Sequence, residues 1–155
     1  MISEKEVFDL IEDYDIGMMT NINEDGNLVS HPMTRKGDLR EDALWFFSKR
    51  NSEKIRELIK NNTVNISFTG KEYLSVSGMV EIVDDISLKK EFWSKDLETF
   101  YEGGPESSDT VLIKLNIESL EYWTTDNIFK SAFEFVKGIV TDEKSDLGKH
   151  DALDL

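Results

Sequence analysis

The stretch from Leu28 to Lys54 constrains the fold more than any other part of the chain. A strand-forming segment (28–34) runs into the polar, glycine-containing sequence KGDLRED, and the aromatic and aliphatic segment ALWFFS follows. Strand-forming segments on both sides of a short turn predict an antiparallel pair, and the serine and charged residues of NSEK predict the start of a helix. Two strands and a helix terminus should therefore meet within one short stretch.

Similar strand-forming segments and turn sequences recur along most of the chain. NEDGN, in which Gly26 can adopt a positive φ, predicts a hairpin turn between the first two strands. Pro32 cannot donate a ladder hydrogen bond, which indicates an edge, a bulge or a ligand-facing break in the second strand. Strands are predicted over 16–22, 28–34, 43–48, 63–69, 73–83 with a bend at Gly78, and 111–117, which 120–123 extends or follows as a separate short strand.

Capping residues and amphipathic periodicity also predict four helices. Six strands at hairpin spacing, with helices in a few connections, predict a small, mainly antiparallel β-barrel with helical decoration. The predicted helices are one begun by a Ser3–Glu6 capping box, one from Asn51 or Ser52 to about Lys60, one from Asp84 or Asp85 to about Leu97, and one over 128–139.

Length and composition limit the classes of protein to which the chain can belong. Its 155 residues contain no repeat and no linker, so we expect one domain over 1–140 followed by a charged tail over 141–155. The absence of cysteine excludes disulfides, thiolate metal ligands and cysteine nucleophiles. No run approaches the roughly 20 apolar residues of a membrane span, and the acidic, amphipathic start is unlike a signal peptide, so a cytoplasmic protein is expected. A net charge of −14 disfavours nucleic acid as a partner.

Positive charge is concentrated in one segment. Residues 35–60 carry a net charge of +3, and the rest of the chain therefore carries −17. A local excess of cations beside a helix N-terminus is an expected place for a bound phosphate, and the aromatic strand that leads into it suits a flat, aromatic ligand. The cations of this positive segment are Arg35, Lys36, Arg40, Lys49, Arg50, Lys54, Arg56 and Lys60.

Three residues around the start of the second predicted helix form a candidate phosphate cradle. Free backbone N–H groups at the helix start, the hydroxyls of Ser48 and Ser52 and the ammonium of Lys54 would all favour an anion. An ordinary capped helix with a solvated cationic face explains the same residues equally well. Both interpretations stay open at the level of this pattern.

No residue pattern identifies catalysis by the chain itself. His31 has no nucleophile in a Ser–His–Asp order, so a structural or ligand-lining role is favoured, and no spacing of His and Glu joins it to His150 as a metal site. The 32 acidic residues are scattered along the chain. Trp123 ends an apolar strand, where a barrel-end core residue is favoured over a ligand contact. No catalytic residue and no metal ligand is therefore assigned.

Five motifs in a fixed order give the chain a family resemblance. They are VSHPM in a strand, WFFS at the end of the next strand, SEK opening a helix, YLSVSG in a later strand and EYW near the end. In this order they resemble the flavin-binding split-barrel superfamily that includes pyridoxamine 5′-phosphate oxidase, and more closely its bacterial general stress protein branch. The similarity runs from about Val7 into the tail, where DLGKHDALDL also looks like that branch.

This resemblance implies a Greek-key-like, six-stranded split barrel that forms a homodimer with two FMN sites at the subunit interface, with FAD as the alternative flavin. One strand would line the flavin ring, a helix start would hold the phosphate, and a tryptophan would reach the flavin from the other subunit. The implied cofactor residues are Ser30, His31, Pro32, Met33 and Thr34 at the ring, Phe47, Ser48, Ser52 and Lys54 at the ribityl phosphate, Tyr73 and Ser75 on a later strand, and Trp123.

The sequence departs from the pyridoxamine phosphate oxidases at the substrate site. Those enzymes follow the equivalent tryptophan with an Arg–x–His pair, whereas TTDNIFKS follows Trp123, and His31 stands about where they carry an arginine. We therefore expect an FMN-dependent oxidoreductase acting on an unidentified small molecule, with a nicotinamide or a deazaflavin as electron partner, but no true pyridoxamine phosphate oxidation. A non-catalytic flavin-binding or flavin-storing stress protein and a cofactor-free small-barrel interaction domain are the alternatives.

Overall fold

Strands dominate the computed structural model, which describes residues 3–124 and 132–136. No helix in this part of the chain is long and apolar enough to span a membrane. The strands are β1 Ile16–Ile22, β2 Leu28–Lys36, β3 Ala43–Lys49, β4 Thr63–Thr69, β5 Glu72–Val83, β6 Thr110–Thr124 and β7 Ala132–Val136. The helices are α1 Glu4–Glu12, α2 Glu53–Lys60 and α3 Ile86–Phe92, and 3₁₀ turns occupy Arg40–Asp42, Lys95–Thr99 and Gly104–Glu106.

The sheet closes on itself into a barrel of six strands. Its order is β3-β2-β1-β4-β5-β6-β7, and a second pairing of β3, with β6, joins the two ends. Residues 110–116 of β6 pair with β3, whereas residues 119–123 pair with β7 outside the barrel. The predicted six-stranded antiparallel barrel is confirmed, and β7 is an additional strand on its edge.

Strand β6 is continuous, so residues 120–123 extend the sixth strand. Its register with β5 shifts between Ser77 and Gly78. The two backbones approach so closely there that a Cβ atom on Gly78 would lie 1.9 Å from the carbonyl oxygen of Asn116. Glycine is needed for this approach, since any side chain would collide with backbone rather than with a movable group.

Local sequence signals fix several element ends where they were predicted. Ser3 and Glu6 form the capping box of α1. Gly26 has a φ of 84° in the hairpin turn between β1 and β2. Asp85, rather than Asp84, caps α3. These features depend only on neighbouring residues, which is why the sequence alone indicates them.

Two apolar clusters pack on the two faces of β3. Leu44 and Phe46 join the inner core of the barrel, together with side chains from α1, α2 and the other strands. Trp45 and Phe47 join an outer core with Phe92 of α3. Each large apolar side chain buried in this way contributes about 1.5–3 kcal/mol. The two cores hold β3, and the helix start that follows it, between α3 and the barrel.

The third predicted helix is shorter than its periodicity indicates. It ends at Phe92 rather than near Leu97, because Trp93 has the extended dihedral angles φ −65° and ψ 139°. Leu97 lies in the separate 3₁₀ turn that follows. The break lets Phe92 pack on Trp45, with ring centroids 5.3 Å apart, and Leu97 enter the same outer core. Tertiary packing overrides local helix preference here.

The helix predicted over 128–139 is wrong over 132–136, which form β7. Strand β6 continues beyond its pairing with β3, and an unpaired strand edge is a template for a further strand. β7 covers that edge. The rest of the predicted helix and the predicted tail over 141–155 lie outside the described residues.

Strands β2 and β3 are neighbours for only a short distance. Their ladder contains just the pairs Arg35↔Phe46 and Lys36↔Trp45. Beyond these pairs the strands diverge, and no strand of the described chain pairs with this edge of β2 over 28–34. The start of α2 lies beside the gap, so free backbone groups of β2 face a helix N-terminus.

Candidate functional site

A cavity of about 240 Å³ opens where β2 and β3 diverge. One wall comes from these strands and the start of α2, and the other comes from the 3₁₀ turn after α3 and the residues that follow it. Residues far apart in sequence therefore line one cavity. Six of the predicted site residues are among them: Pro32, Met33, Thr34, Phe47, Ser48 and Lys54.

The start of α2 leaves several hydrogen-bond donors free. Ser52, rather than Asn51, is the N-cap, and its hydroxyl accepts the backbone amide three residues on at 3.3 Å. The Oγ of Ser48 lies 3.3 Å from the Oγ of Ser52. The amides of Glu53 and Lys54 lie before the first intrahelical hydrogen bonds, so they have no acceptor within the helix. These groups and the helix dipole favour a bound anion.

Lys54 is the cation that faces the cavity. Its ammonium donates to the thioether sulfur of Met33 at 2.9 Å, and a thioether is a weak acceptor. It forms no ion pair with any carboxylate of the described residues. Burial lowers the pKa of Lys54, while the Glu57 carboxylate opposes that shift. A half-buried ammonium without a counter-ion favours the binding of an anion.

His31 lies on the inward face of β2, two residues before Met33. Side chains two apart on a strand share a face, so the imidazole lies next to the place where Lys54 meets Met33. Its Nε2 atom is buried and has no hydrogen-bond partner among the described residues. Burial lowers the pKa of His31, the Lys54 ammonium lowers it further, and the Glu57 carboxylate opposes both effects.

The positive segment does not form one continuous phosphate-binding surface, because acidic partners neutralise most of its cations. Arg35 is buried, and its guanidinium donates to three backbone carbonyls. Within the described chain, Lys49, Lys54 and Lys60 have no ion pair, and of these only Lys54 lines the cavity. The ion pairs of the segment are Arg35–Asp15, Lys36–Asp96, Arg40–Asp38, Arg40–Glu91, Arg50–Asp84 and Arg56–Glu24.

The opposite wall of the cavity was missed by the sequence analysis. It consists of Asp96, Leu97, Phe100 and Tyr101. The Tyr101 hydroxyl donates to the carbonyl of Phe47 at 2.9 Å, and burial raises the pKa of Tyr101. The first two residues fell in a predicted helix and the other two in a segment with no regular pattern. Adjacent aromatic residues in such a segment were the one available signal.

Tyr73, Ser75 and Trp123 do not line the cavity of the single chain. Tyr73 and Trp123 are direct cross-strand partners on β5 and β6. Ser75 Oγ accepts from the Nδ2 of Asn65, so it lies on the outside of the barrel. Ser30 is exposed on the outward face of β2. Four of the predicted site residues therefore belong to the outer surface of the sheet, and Trp123 is half-buried there rather than part of the barrel core.

A continuous register connects these residues with the cavity. Cα partners run from Pro32 to Met18, from Met18 to Ser67 and from Ser67 to Ser75. Neighbouring strands lie about 4.8 Å apart, so about 14 Å of one surface separates Pro32 from Ser75. We call this surface the outer sheet face. Large apolar side chains are exposed on it, namely Ile16 (62 %), Met18 (43 %), Leu28 (74 %) and Met79 (41 %).

Comparison with known proteins identifies the family. Residues 3–146 match the family described as "Pyridoxamine 5′-phosphate oxidase like". The chain belongs to the pyridoxamine 5′-phosphate oxidase-like family. The family resemblance stated from the five motifs is therefore confirmed. A comparison with curated protein sequences finds no significant match.

Solved structures of family proteins have the same fold. General stress protein 26 from Bacillus anthracis str. Sterne is 27 % identical, with a TM-score of 0.65, and the match covers 74 % of this chain and 88 % of that chain. A Clostridium acetobutylicum protein related to general stress protein 26 is 24 % identical, with a TM-score of 0.70 and coverage of 88 % and 97 %. A pyridoxamine 5′-phosphate oxidase-related, FMN-binding protein from Nostoc punctiforme is 14 % identical, with a TM-score of 0.67 and coverage of 84 % and 83 %. The last two matches show the fold alone.

Proposed function

We propose that the chain is a homodimeric FMN-binding protein whose flavin serves as the redox cofactor of an oxidoreductase for a small molecule. The observation that carries this proposal is the Lys54 ammonium, which faces a cavity without a counter-ion, beside two serine hydroxyls and a helix start. A phosphate dianion supplies the missing negative charge. The FMN-binding name of the Nostoc punctiforme relative supports a flavin as the bearer of that phosphate.

The donors at this end of the cavity fit a phosphate ester. Ser48 and Ser52 offer hydroxyls, the first amides of α2 are free, and Lys54 offers a charge-assisted hydrogen bond. His31 is not among the residues that line the cavity, but it shares a face of β2 with Met33, and its buried Nε2 has no hydrogen-bond partner in the described chain. An ordinary capped helix explains neither the ammonium, which has no carboxylate partner in the described chain, nor the buried imidazole nitrogen, so the phosphate-binding interpretation is favoured.

The other end of the cavity suits a flat, partly polar ring. Residues 30–34 of β2 have one strand edge without a strand partner in the described chain, so their N–H and C=O groups are available to the polar edge of an isoalloxazine. Phe47 and Phe100 add aromatic surface to the same cavity. The proposed cofactor is FMN, and FAD is distinguished from it by the mass of the ligand released on denaturation.

The size of the cavity supports a site shared between two subunits. Its 240 Å³ is less than the roughly 300–1,000 Å³ of typical ligand pockets. A second copy of the chain would enlarge the site and would cover the apolar side chains of the outer sheet face. In this proposal Tyr73, Ser75 and Trp123 reach the flavin of the other subunit, which accounts for their distance from the cavity of their own chain.

Sedimentation tests the shared site. The holoprotein should sediment at about twice the chain mass of 17.8 kDa, and dilution should release flavin and subunits together. A protein that stays monomeric at micromolar concentration and still binds FMN would refute the shared site while leaving flavin binding intact.

When bound, FMN supplies the electron transfer, and the residues of the chain bind it, orient it and exclude water. No described residue is assigned a catalytic role. Lys36 donates to Ser94 Oγ at 2.7 Å and to Asp96 Oδ2 at 2.9 Å, so it is not available to hold the phosphate of a second ligand. Pyridoxamine 5′-phosphate is therefore not the expected substrate, and the holoprotein should form no pyridoxal phosphate under air.

Identification of the co-purifying ligand tests the proposed function. We expect a yellow protein that releases FMN on denaturation and is reduced in stopped-flow experiments by a nicotinamide or a deazaflavin donor. A yellow protein that no donor reduces indicates a flavin-binding or flavin-storing protein instead. A colourless protein that does not take up added FMN or FAD indicates a cofactor-free interaction domain and refutes the proposal.

A further inference from the structure

His31 is a titratable side chain beside the cavity, on the same face of β2 as Met33, and its hydrogen bonding is incomplete. Its Nε2 is buried without a partner in the described chain, although buried polar atoms are nearly always paired in folded proteins. Imidazole can accept a proton near neutral pH, so it can be either neutral or cationic under ordinary conditions. The unpaired nitrogen can therefore take up a proton when a negative charge is bound nearby.

The groups that face His31 come from three elements. Strand β1 provides Met19, its cross-strand partner, and no titratable side chain. Helix α2 provides Lys54, whose ammonium contacts Met33 on the same face of β2, and the buried Glu57. On β2 itself, Arg35 lies further along that face with its guanidinium occupied by carbonyls. Besides burial, Lys54 and Glu57 are the described charges that act on the imidazole.

Burial and the neighbouring charges together disfavour the protonated form of His31 in the chain without a ligand. Burial lowers the pKa of the imidazole, and the neighbouring Lys54 ammonium lowers it further, while Glu57 compensates only in part. A phosphate held by Lys54 would reverse this balance, because two negative charges would then lie beside the imidazole. The Nε2–H of the protonated ring would also gain the acceptor that the nitrogen lacks.

We infer that His31 is the second cation of the cradle and takes up a proton when a phosphate dianion binds beside Lys54. This inference rests on the proposed FMN site and gives one residue of that site a specific role. The reaction is a simple protonation: one proton passes from solvent to the imidazole as the phosphate enters, and it leaves when the phosphate leaves. Binding of the phosphate is therefore linked to pH through the chain itself.

Calorimetric titration of FMN into the apoprotein tests the inference. At pH 7.5 the phosphate ester, with its second pKa near 6, is already a dianion for the most part, so protons taken up report on the protein. Repeating the titration in buffers with different ionisation heats gives the number of protons bound. We expect uptake of a substantial fraction of one proton with FMN and none with riboflavin, which has no phosphate.

Two variants of His31 serve as matched controls. His31→Gln keeps a hydrogen-bonding side chain but cannot be protonated, so proton uptake should disappear and FMN affinity should fall by about tenfold at pH 7. His31→Arg carries a permanent charge, so its FMN affinity should depend less on pH between 7 and 8.5 than that of the wild type, which should tighten as the pH falls. Circular dichroism of each apoprotein verifies that the variant is folded.

The outcomes separate this inference from the proposed function. Tight FMN binding with the same proton count in the wild type and in His31→Gln would overturn the role of His31 and leave the FMN site standing. Failure of the wild type to bind FMN would overturn the proposed function itself. If His31→Gln does not fold, the imidazole C2–H resonances of the wild type decide: the inference requires one histidine pKa to rise on FMN binding, and unchanged histidine pKa values would refute it.

Discussion

Two lysines of this protein, Lys89 and Lys54, differ in the acceptors that surround their ammonium groups. Lys89, on α3, is fully buried, and its ammonium donates to Asp84 at 2.5 Å and to the carbonyls of Thr110 and Ser107 at 2.8 and 3.1 Å. Lys54, on α2, is half-buried, and among the described residues its ammonium has only the sulfur of Met33 as an acceptor. The first ammonium has strong acceptors within one chain, whereas the second has no carboxylate partner among the described residues.

This difference separates a structural charge from a binding charge. The three acceptors around Lys89 tie α3 to the loop before β6, and a buried charge with all its hydrogen bonds made does not require a ligand. At Lys54 the same chemical group stands in a cavity between β2 and β3, next to free helix amides. The sequence alone does not distinguish the two lysines, because the fold determines which carboxylates come near them.

The largest expected effect is on stability at Lys89. Lys89→Met keeps an unbranched side chain but leaves two carbonyls without their donor and removes one of the two cations that pair with Asp84, the other being Arg50. The free energy of unfolding should therefore fall by about 3 kcal/mol. The matched variant Lys54→Met removes an ammonium with no strong acceptor and should change the free energy of unfolding by less than about 1 kcal/mol. Urea denaturation of both apoproteins measures the contrast. Equal losses of unfolding free energy in the two variants would contradict the distinction between a structural and a binding lysine.

A smaller effect is expected at Glu57, the carboxylate beside the cradle. It is buried and accepts from the Nδ2 of Asn21 at 3.2 Å, a hydrogen bond that glutamine can replace. Glu57→Gln removes a negative charge that repels the proposed phosphate, an effect on the order of 1 kcal/mol where water brings the effective dielectric constant close to about 80. FMN affinity should therefore rise about fivefold. Fluorescence titration measures this change, and weaker FMN binding by a folded variant would show that Glu57 acts mainly by holding the cations in place.

The smallest effect concerns the free energy of unfolding at low pH. Lys89 and Arg50 hold the pKa of Asp84 below its ordinary value of 3.8. A lowered carboxyl pKa contributes stability above the unfolded pKa and loses it as the pH falls through the folded pKa. Acidification below pH 4 should therefore narrow the difference in stability between the wild type and Lys89→Met. A difference that stays constant down to pH 2.5 would mean that Asp84 does not contribute through its charge.

The sequence predicted those parts of the molecule that depend on neighbouring residues. Strand positions follow from alternation and turns, and the cap at Ser52 follows from residues within one helical turn. The prediction of a helix over 128–139 is wrong over 132–136 for a different reason. Its apolar residues fit a helical period, but the free edge of β6 accepts residues 132–136 as a strand, and β6 presents this edge where it pairs with β5 on its other side.

The candidate site could be predicted only in part for the same reason. Ser48, Ser52 and Lys54 lie within seven residues of one another, so their proximity can be read locally. The pairing of Lys36 with Asp96 joins residues 60 positions apart, and the wall formed by Leu97, Phe100 and Tyr101 depends on the early end of α3. Long-range pairing decides which cations remain available, and a single sequence does not specify it.

The most direct test of the phosphate site combines two ligands, FMN and riboflavin, with the wild type, Lys54→Met and a control variant. FMN and riboflavin differ only by the phosphate, so their affinity ratio for the apoprotein isolates the contribution of the cradle. We expect FMN to bind the wild type more tightly than riboflavin does, and Lys54→Met to reduce that ratio by about 10- to 100-fold, as loss of a charge-assisted hydrogen bond implies. The control Lys60→Met, which removes an exposed charge at the far end of α2, should leave the ratio nearly unchanged. An affinity ratio that Lys54→Met does not alter would contradict the assignment of this cavity as the phosphate site.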